Sequence, residues 1–208
     1  VQLIVLSNRR SQYLVETLHS IATHVTGADR ITIVDDSGDS HWRSALEYLG
    51  DEIVSVDDNP AGYARAMQTV LDVAEGEHVA LWEEDFRAIA PIDLHELAGI
   101  LDERPHLAQL AVMRQPWYPH EIAAGGMLQA VANSGHMVEL VDGVWEHRAF
   151  FTCNPTVLPR RTYTRPWPQQ EWSESAFGRE LLKDPAVRFG MMPGQRVEHV
   201  GERSGFGY

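Results

Sequence analysis

Residues 78–85, His78-Val79-Ala80-Leu81-Trp82-Glu83-Glu84-Asp85, decide how this chain is read. The first five form a short apolar run of strand length, and the last three place carboxylates at its tip. Bulky residues flank the acidic group, Trp82 before it and Phe86 after it, which a solvated turn does not need. Three earlier apolar runs end in the same way. Gln2–Leu6 leads into Ser7-Asn8-Arg9, Ile31–Val34 into Asp35-Asp36-Ser37-Gly38, and Ile53–Val56 into Asp57-Asp58.

Helical patterns separate these runs. Leu14, Leu18, Ile21 and Val25 recur at helical spacing. Ser40 reads as the cap of a helix carrying Trp42, Ala45, Leu46 and Leu49, with Gly50 as its end. Asn59-Pro60 reads as cap and first position of a helix with Ala64, Met67, Leu71 and Ala74 on one face. Asp93 with Glu96 has the form of a capping box, Pro105 stops that helix, and Leu107–Met113 is a fifth strand. Strands alternating with helices imply an α/β fold with a parallel, doubly wound sheet. Ligands of such sheets sit beyond the carboxyl ends of the strands. The four polar strand ends should therefore share one edge. Turns favour aspartate, so one acidic end is ordinary; four in register exceed what turn chemistry requires.

After residue 114 the pattern loosens. Pro116-Trp117-Tyr118-Pro119, Gly125-Gly126 and Pro159–Pro168 read as loops, and Val138–Val141 and Phe150–Val157 as candidate strands. Ser173 reads as the cap of a helix running to Leu182, and the Gly-rich tail from Gly190 as a wrap around the site. The 208 residues, 44% hydrophobic, suit one domain with a ligand-binding half (1–113) and an irregular half (114–208). No run of 18 apolar residues and no basic-then-apolar leader is present, so neither a membrane span nor a signal peptide is expected. The single cysteine, Cys153, cannot form an internal disulfide; it reads as a small buried hydrophobe, and its solitude fits a reducing cytoplasm. A net charge of −13 disfavours unspecific binding to nucleic acid or anionic membranes. It admits an anionic nucleotide if a divalent cation and arginines lie between. The hard oxygen ligands at 83–85 suit Mn²⁺ or Mg²⁺ bridged to a diphosphate.

Val79–Phe86 resembles the DXD-type metal motif of GT-A glycosyltransferases, with Glu84 where many relatives have Asp. Ile31–Gly38 resembles the "VDDGS" segment of family 2-like members, here in the order Asp-Asp-Ser-Gly. Asp57–Ala66 resembles the segment those enzymes place under the nucleoside. Glu171-Trp172-Ser173-Glu174 resembles their "ED" helix start, and Val197–Ser204 their C-terminal "H-x-G…S" element. The resemblance implies a mixed, mainly parallel GT-A (Rossmann-like) sheet flanked by helices, and a nucleotide-sugar donor, UDP-linked. It implies Asp85 and His199 as metal ligands, and Glu83 or Glu84 near the donor sugar or ribose. Ser7, Asn8 and Arg9 would lie beside the nucleotide, Asp35 and Asp57 at the base, and Gly62 where the backbone comes close. Arg65, Arg196 and Arg203 become candidate phosphate contacts. Glu174 aligns with the catalytic base, with Glu171 in reserve; one carboxylate base and no evident nucleophile favour inversion.

The acceptor is less defined. Trp117, Tyr118, Trp145, Trp167 and Trp172 offer stacking surfaces, and Arg160-Arg161-Thr162-Tyr163-Thr164-Arg165-Pro166-Trp167 mixes basic and aromatic residues. A saccharide and a hydroxylated base in DNA both fit. Two other readings compete: a binding module of the same fold without turnover, and a nucleotidylyltransferase. The latter wants a Gly-rich loop after the first strand, and Ser7–Gln12 has no glycine.

Overall fold

A computed structural model describes residues 1–57 and 62–201. In chain order it contains β1 (Gln2–Ser7), α1 (Ser11–His24), β2 (Val25–Thr26), β3 (Arg30–Asp35), α2 (Ser40–Leu46), β4 (Glu52–Ser55), α3 (Tyr63–Asp72) and β5 (His78–Glu83). There follow β6 (Phe86–Ala88), β7 (Ile92–Asp93), α4 (Leu94–Glu103), β8 (Leu107–Arg114), α5 (Pro119–Ala124) and α6 (Met127–Asn133). The last elements are β9 (Val138–Val141), β10 (Val144–His147), β11 (Thr156–Pro159), α7 (Arg160–Tyr163), α8 (Ser173–Leu181) and β12 (Arg188–His199).

The main sheet runs in the order β4-β3-β1-β5-β11-β8-β12-β10-β9, with β6 also paired to β12. Strands β4, β3, β1 and β5 are mutually parallel. Strand β11 enters antiparallel between β5 and β8, and β12 lies parallel to β8. The alternation along β1 sets the two faces. Leu3 and Val5 pack with Leu14 and Ile21 of α1 and Leu97 and Leu101 of α4. Ile4 and Leu6 pack with Met67 and Val70 of α3 and Phe177 and Leu181 of α8. Each such side chain, fully buried, contributes about 1.5–3 kcal/mol.

The register places Ser7 opposite Asp35, Leu6 opposite Glu83, and Asp35 opposite Ser55. The polar strand ends thus meet at one edge, as their sequence pattern predicts.

Local readings differ in several places. Asp39, not Ser40, caps α2, because its carboxylate accepts the backbone N–H groups of His41 and Trp42. That helix stops at Leu46, before Gly50. Val25 leaves α1 for the small ladder with β7. Asp93 does cap α4. The Asn59-Pro60 helix start lies outside the described residues, and α3 begins after Gly62, whose φ is +83°. The second half is more regular than its composition suggests. Pro119 begins α5, where a missing N–H costs nothing. Of Phe150–Val157 only the end becomes strand, Val144–His147 is an additional strand, and Arg160–Tyr163 is a helical turn. Of the tail from Gly190, residues 190–199 are not a wrapping loop but part of β12, and residues 202–208 lie outside the described residues. A Cβ on Gly190 would stand 3.0 Å from Leu110, so glycine here lets β12 lie close against β8. Trp172, in a left-handed conformation, holds the cap position before Ser173. Cys153 is buried, in the role of a small hydrophobe. Among the described residues no helix is long and apolar enough to cross a membrane.

Candidate active site

Strand β5 ends at Glu83, and the chain turns through Glu84 and Asp85 into β6. Three bonds pin this turn: Trp82 Nε1 donates to the Phe86 carbonyl at 2.6 Å, Glu84 N to Leu6 O at 3.0 Å, and Thr17 Oγ1 to Glu84 O at 2.7 Å. The Glu84 carboxylate is buried and accepts from Ser7 Oγ (2.8 Å), Asn8 N (3.0 Å) and Arg10 Nε (2.8 Å). Glu84 and Ser7 thus bond to each other, and Glu84 ties the start of α1 to the acidic turn. Arg10 also donates to Asp85 Oδ2 at 2.7 Å. Burial opposes its charge, yet Asp85 and Glu84 together raise its pKa.

Asp85 meets His199 from the end of β12, with His199 Nε2 at 3.4 Å from Asp85 Oδ2. Burial disfavours ionisation of Asp85, but the bond from His199 and the charge of Arg10 outweigh it and lower the pKa. Gly201 makes this approach possible, since a Cβ there would lie 2.1 Å from Asp85 Oδ2. Asp85 Oδ1 and His199 Nδ1 are both buried without a hydrogen-bond partner. Such orphaned atoms are costly unless something absent from the chain engages them. A carboxylate oxygen and an imidazole nitrogen are a donor set that Mn²⁺ accepts. Among the described residues no three His, Cys, Asp or Glu side chains form a complete metal cage. The pair thus fits an ion that takes its remaining ligands from water and phosphate.

Glu83 sits beside this pair. Its carboxylate accepts from Tyr63 Oη at 2.9 Å, and burial, then the charges of Asp85 and Glu174, push its pKa well up. Glu174 stands in the first turn of α8 and accepts the Cys153 N–H at 2.7 Å. Burial raises its pKa as well, against the hydrogen bonds from Cys153 and Thr152. Both groups lie at the carboxyl edge of the sheet, because antiparallel β11 begins there, just after residues 152–154.

The other predicted residues scatter. Asn8 and Arg9 are exposed at the end of β1, and Arg65 and Asp57 are exposed on the β4–α3 side. Asp35 is fully buried and accepts from Ser37 N (3.1 Å) and Ser37 Oγ (2.9 Å), with Arg43 Nε 3.5 Å from Oδ2. Arg196 donates to the Pro91 carbonyl at 2.6 Å, drawn away from His199 along β12. Glu171 is exposed ahead of α8. Arg203 lies outside the described residues.

Arg160 and Arg161 follow Pro159, which pairs with His78 at the start of β5. They lie at the opposite edge, roughly 20 Å from the acidic turn at a strand rise of ~3.3 Å per residue. With Glu77, His78, Asp102 and Thr164 they line a cavity there. Trp167 is buried and stacks on Phe177 at 4.6 Å, so it belongs to the core and not to a stacking surface. Of the five aromatic candidates, Trp172 (70%) and Tyr118 (40%) are exposed. Two residues of the cluster, Arg10 and Tyr63, are not singled out by the sequence, nor is Gln115, whose side chain bonds to the backbone of His199. Only Arg10 carried a local signal, as the second arginine of a polar strand end.

This sheet order, with an acidic turn after β5 and a histidine closing β12, is a fold of the GT-A type. Residues 3–155 match the profile of glycosyl transferase family 2, and the chain belongs to that family. Its fold is similar to that of the mannosyltransferase PcManGT from Pyrobaculum calidifontis, solved with GDP-Man and Mn²⁺ (TM-score 0.64, 15% identity, 99% of this chain and 58% of that one). It is similar also to GalNAc-T7 with UDP, GalNAc and Mn²⁺ (TM-score 0.70, 10% identity, 99% and 44%). Residues 1–349 of TarS from S. aureus give a TM-score of 0.60 at 15% identity, covering 96% of this chain and 60% of that one. The chain therefore spans about half the length of these structures, and identities this low speak for the fold alone. No curated protein matches in sequence.

Proposed function

We propose that this chain is a metal-dependent, inverting glycosyltransferase that moves a sugar from a UDP-linked donor to a saccharide hydroxyl. The supporting observation is the pairing of Asp85 with His199, each with a buried orphaned atom, beside a pair of carboxylates of raised pKa. Asp85 and His199 would hold Mn²⁺ or Mg²⁺, which, when bound, offsets the charge that builds on the leaving diphosphate. Glu174 accepts the proton of the acceptor hydroxyl as it attacks the anomeric carbon. Its raised pKa makes it a stronger base than an exposed carboxylate. Arg10 holds Glu84 and Asp85 in place, and exposed Asn8, Arg9 and Arg65 are available to the nucleotide. The DNA-base acceptor loses its support, because its basic residues, Arg160 and Arg161, lie at the far edge of the sheet.

Two experiments test the reading. Thermal unfolding with a panel of nucleoside diphosphates should show Mn²⁺-dependent stabilisation by UDP; no shift with any nucleotide would refute the donor site. Glu174→Gln should lower transfer by about 10²–10⁴-fold while leaving UDP binding unchanged. Full activity in that variant would remove Glu174 from the mechanism.

A further inference from the structure

The ladder between β8 and β12 ends early. Its last backbone pair is Val197 with Arg114, after three register shifts in β12. Pro116 follows and has no N–H to donate. At this gap the side chain of Gln115 supplies the missing rung: Oε1 accepts His199 N at 2.9 Å, and Nε2 donates to His199 O at 2.9 Å. Both main-chain groups of His199 are thereby fixed to β8. The imidazole above them is held between two rings, Trp117 at 4.3 Å edge-on and Phe86 at 4.8 Å. A buried ion pair anchors the segment that carries Gln115 and Trp117. Arg114 donates twice to Glu121, at 2.8 and 2.9 Å, and Glu121 Oε2 also accepts Trp117 N at 2.7 Å.

We propose that Gln115 is a positioning residue that aims His199 at the metal site shared with Asp85. The inference rests on the metal-binding reading above. On its other side the strand end is held to β6, with His199 in register with Phe86 and Val200 N donating to Asp85 O at 2.8 Å; the two amide bonds hold the β8 side, and with the backbone fixed on both sides the Trp117 and Phe86 rings set the imidazole's orientation. Groups that orient a metal ligand typically govern affinity by 10–100-fold.

The test is Mn²⁺ binding, followed by electron paramagnetic resonance with UDP present and no acceptor, in wild type, Gln115→Ala and the near-isosteric Gln115→Met. The methionine keeps the packing of the stem, so it reports the lost amide bonds even if the alanine variant unfolds. The expected result is Mn²⁺ affinity weakened about 10–100-fold in both variants. The Mn²⁺ concentration for half-maximal activity should rise in step, with kcat recovered at saturating Mn²⁺. A role in folding alone would lower Tm and leave the affinity of the folded protein unchanged; affinity within about twofold of wild type overturns the proposal. Asp85→Asn and His199→Ala serve as controls. If they bind Mn²⁺ as tightly as wild type, the metal reading itself fails, whatever Gln115 does.

Discussion

Replacing Arg10 by methionine removes one guanidinium from two buried carboxylates while keeping most of the aliphatic stem. Glu84 and Asp85 have side-chain exposures of 1% and 6%, and Arg10 of 27%. Breaking a fully buried ion pair at one partner costs about 3–5 kcal/mol, because the remaining charge is left uncompensated. Arg10 is a quarter exposed, and Glu84 keeps its bonds from Ser7 and Asn8, so the expected loss is about 2–4 kcal/mol. In a chain of this size each kcal/mol moves Tm by roughly 2–4 °C, giving a fall of about 4–16 °C. The assay is thermal and urea unfolding in chelator-treated buffer. Arg9→Met is the control: its side chain is exposed, and a change within about 0.5 kcal/mol is expected. A loss below about 1 kcal/mol for Arg10→Met would show that solvent screens the pair, and would refute the view that Arg10 holds the acidic turn. Mn²⁺ with UDP should restore part of the loss, since a bound dication supplies positive charge at Asp85.

Three further outcomes follow from the geometry. Burial raises the pKa of Glu174, and a general base acts only when ionised, so kcat/KM should fall on acidification at a pH above the usual carboxylate value of 4.5; an acid limb at or below that value would assign the base elsewhere. His147 is buried and near His136, which lowers its pKa from 6.5 to about 4. Between those values the unfolded chain takes up a proton that the folded chain refuses, so stability falls as pH drops through the window, by about 3 kcal/mol in all. His147→Phe should flatten that part of the stability profile relative to wild type, and an unchanged slope would contradict the assignment. Gly201→Ala would put a methyl 2.1 Å from Asp85 Oδ2, so Mn²⁺-dependent stabilisation by UDP should disappear while folding persists; retention of the metal effect would mean that the segment after His199 yields freely.

How much of this was legible in the sequence follows from what local pattern can carry. Continuous apolar runs with polar tips are local properties, so β1, β3 and β5 could be read, and with them the shared edge and the acidic turn. His199 was found through its place in a family-like order of motifs. Arg10 was not singled out from Arg9, because only the adjacency of β1 and β5 brings residue 10 to residues 84 and 85. Gln115 is invisible for the same reason: its bonds span 84 residues of sequence. Gly190, Pro193 and Gly194 disguised β12 as a loop, although Gly190 is buried between β8 and β10, and Pro193 and Gly194 fall in a register shift against β8 where no ladder pairing is lost. The basic island failed differently. Its composition suits an anionic acceptor, but β11 runs antiparallel to β5 and carries residues 160 and 161 to the wrong edge. Local sequence states that a strand exists and where it stops; it does not state which way the strand points in the sheet. A residue's chemistry becomes a site only at the edge to which its strand delivers it, and for residues 160 and 161 that edge was chosen by the antiparallel direction of β11.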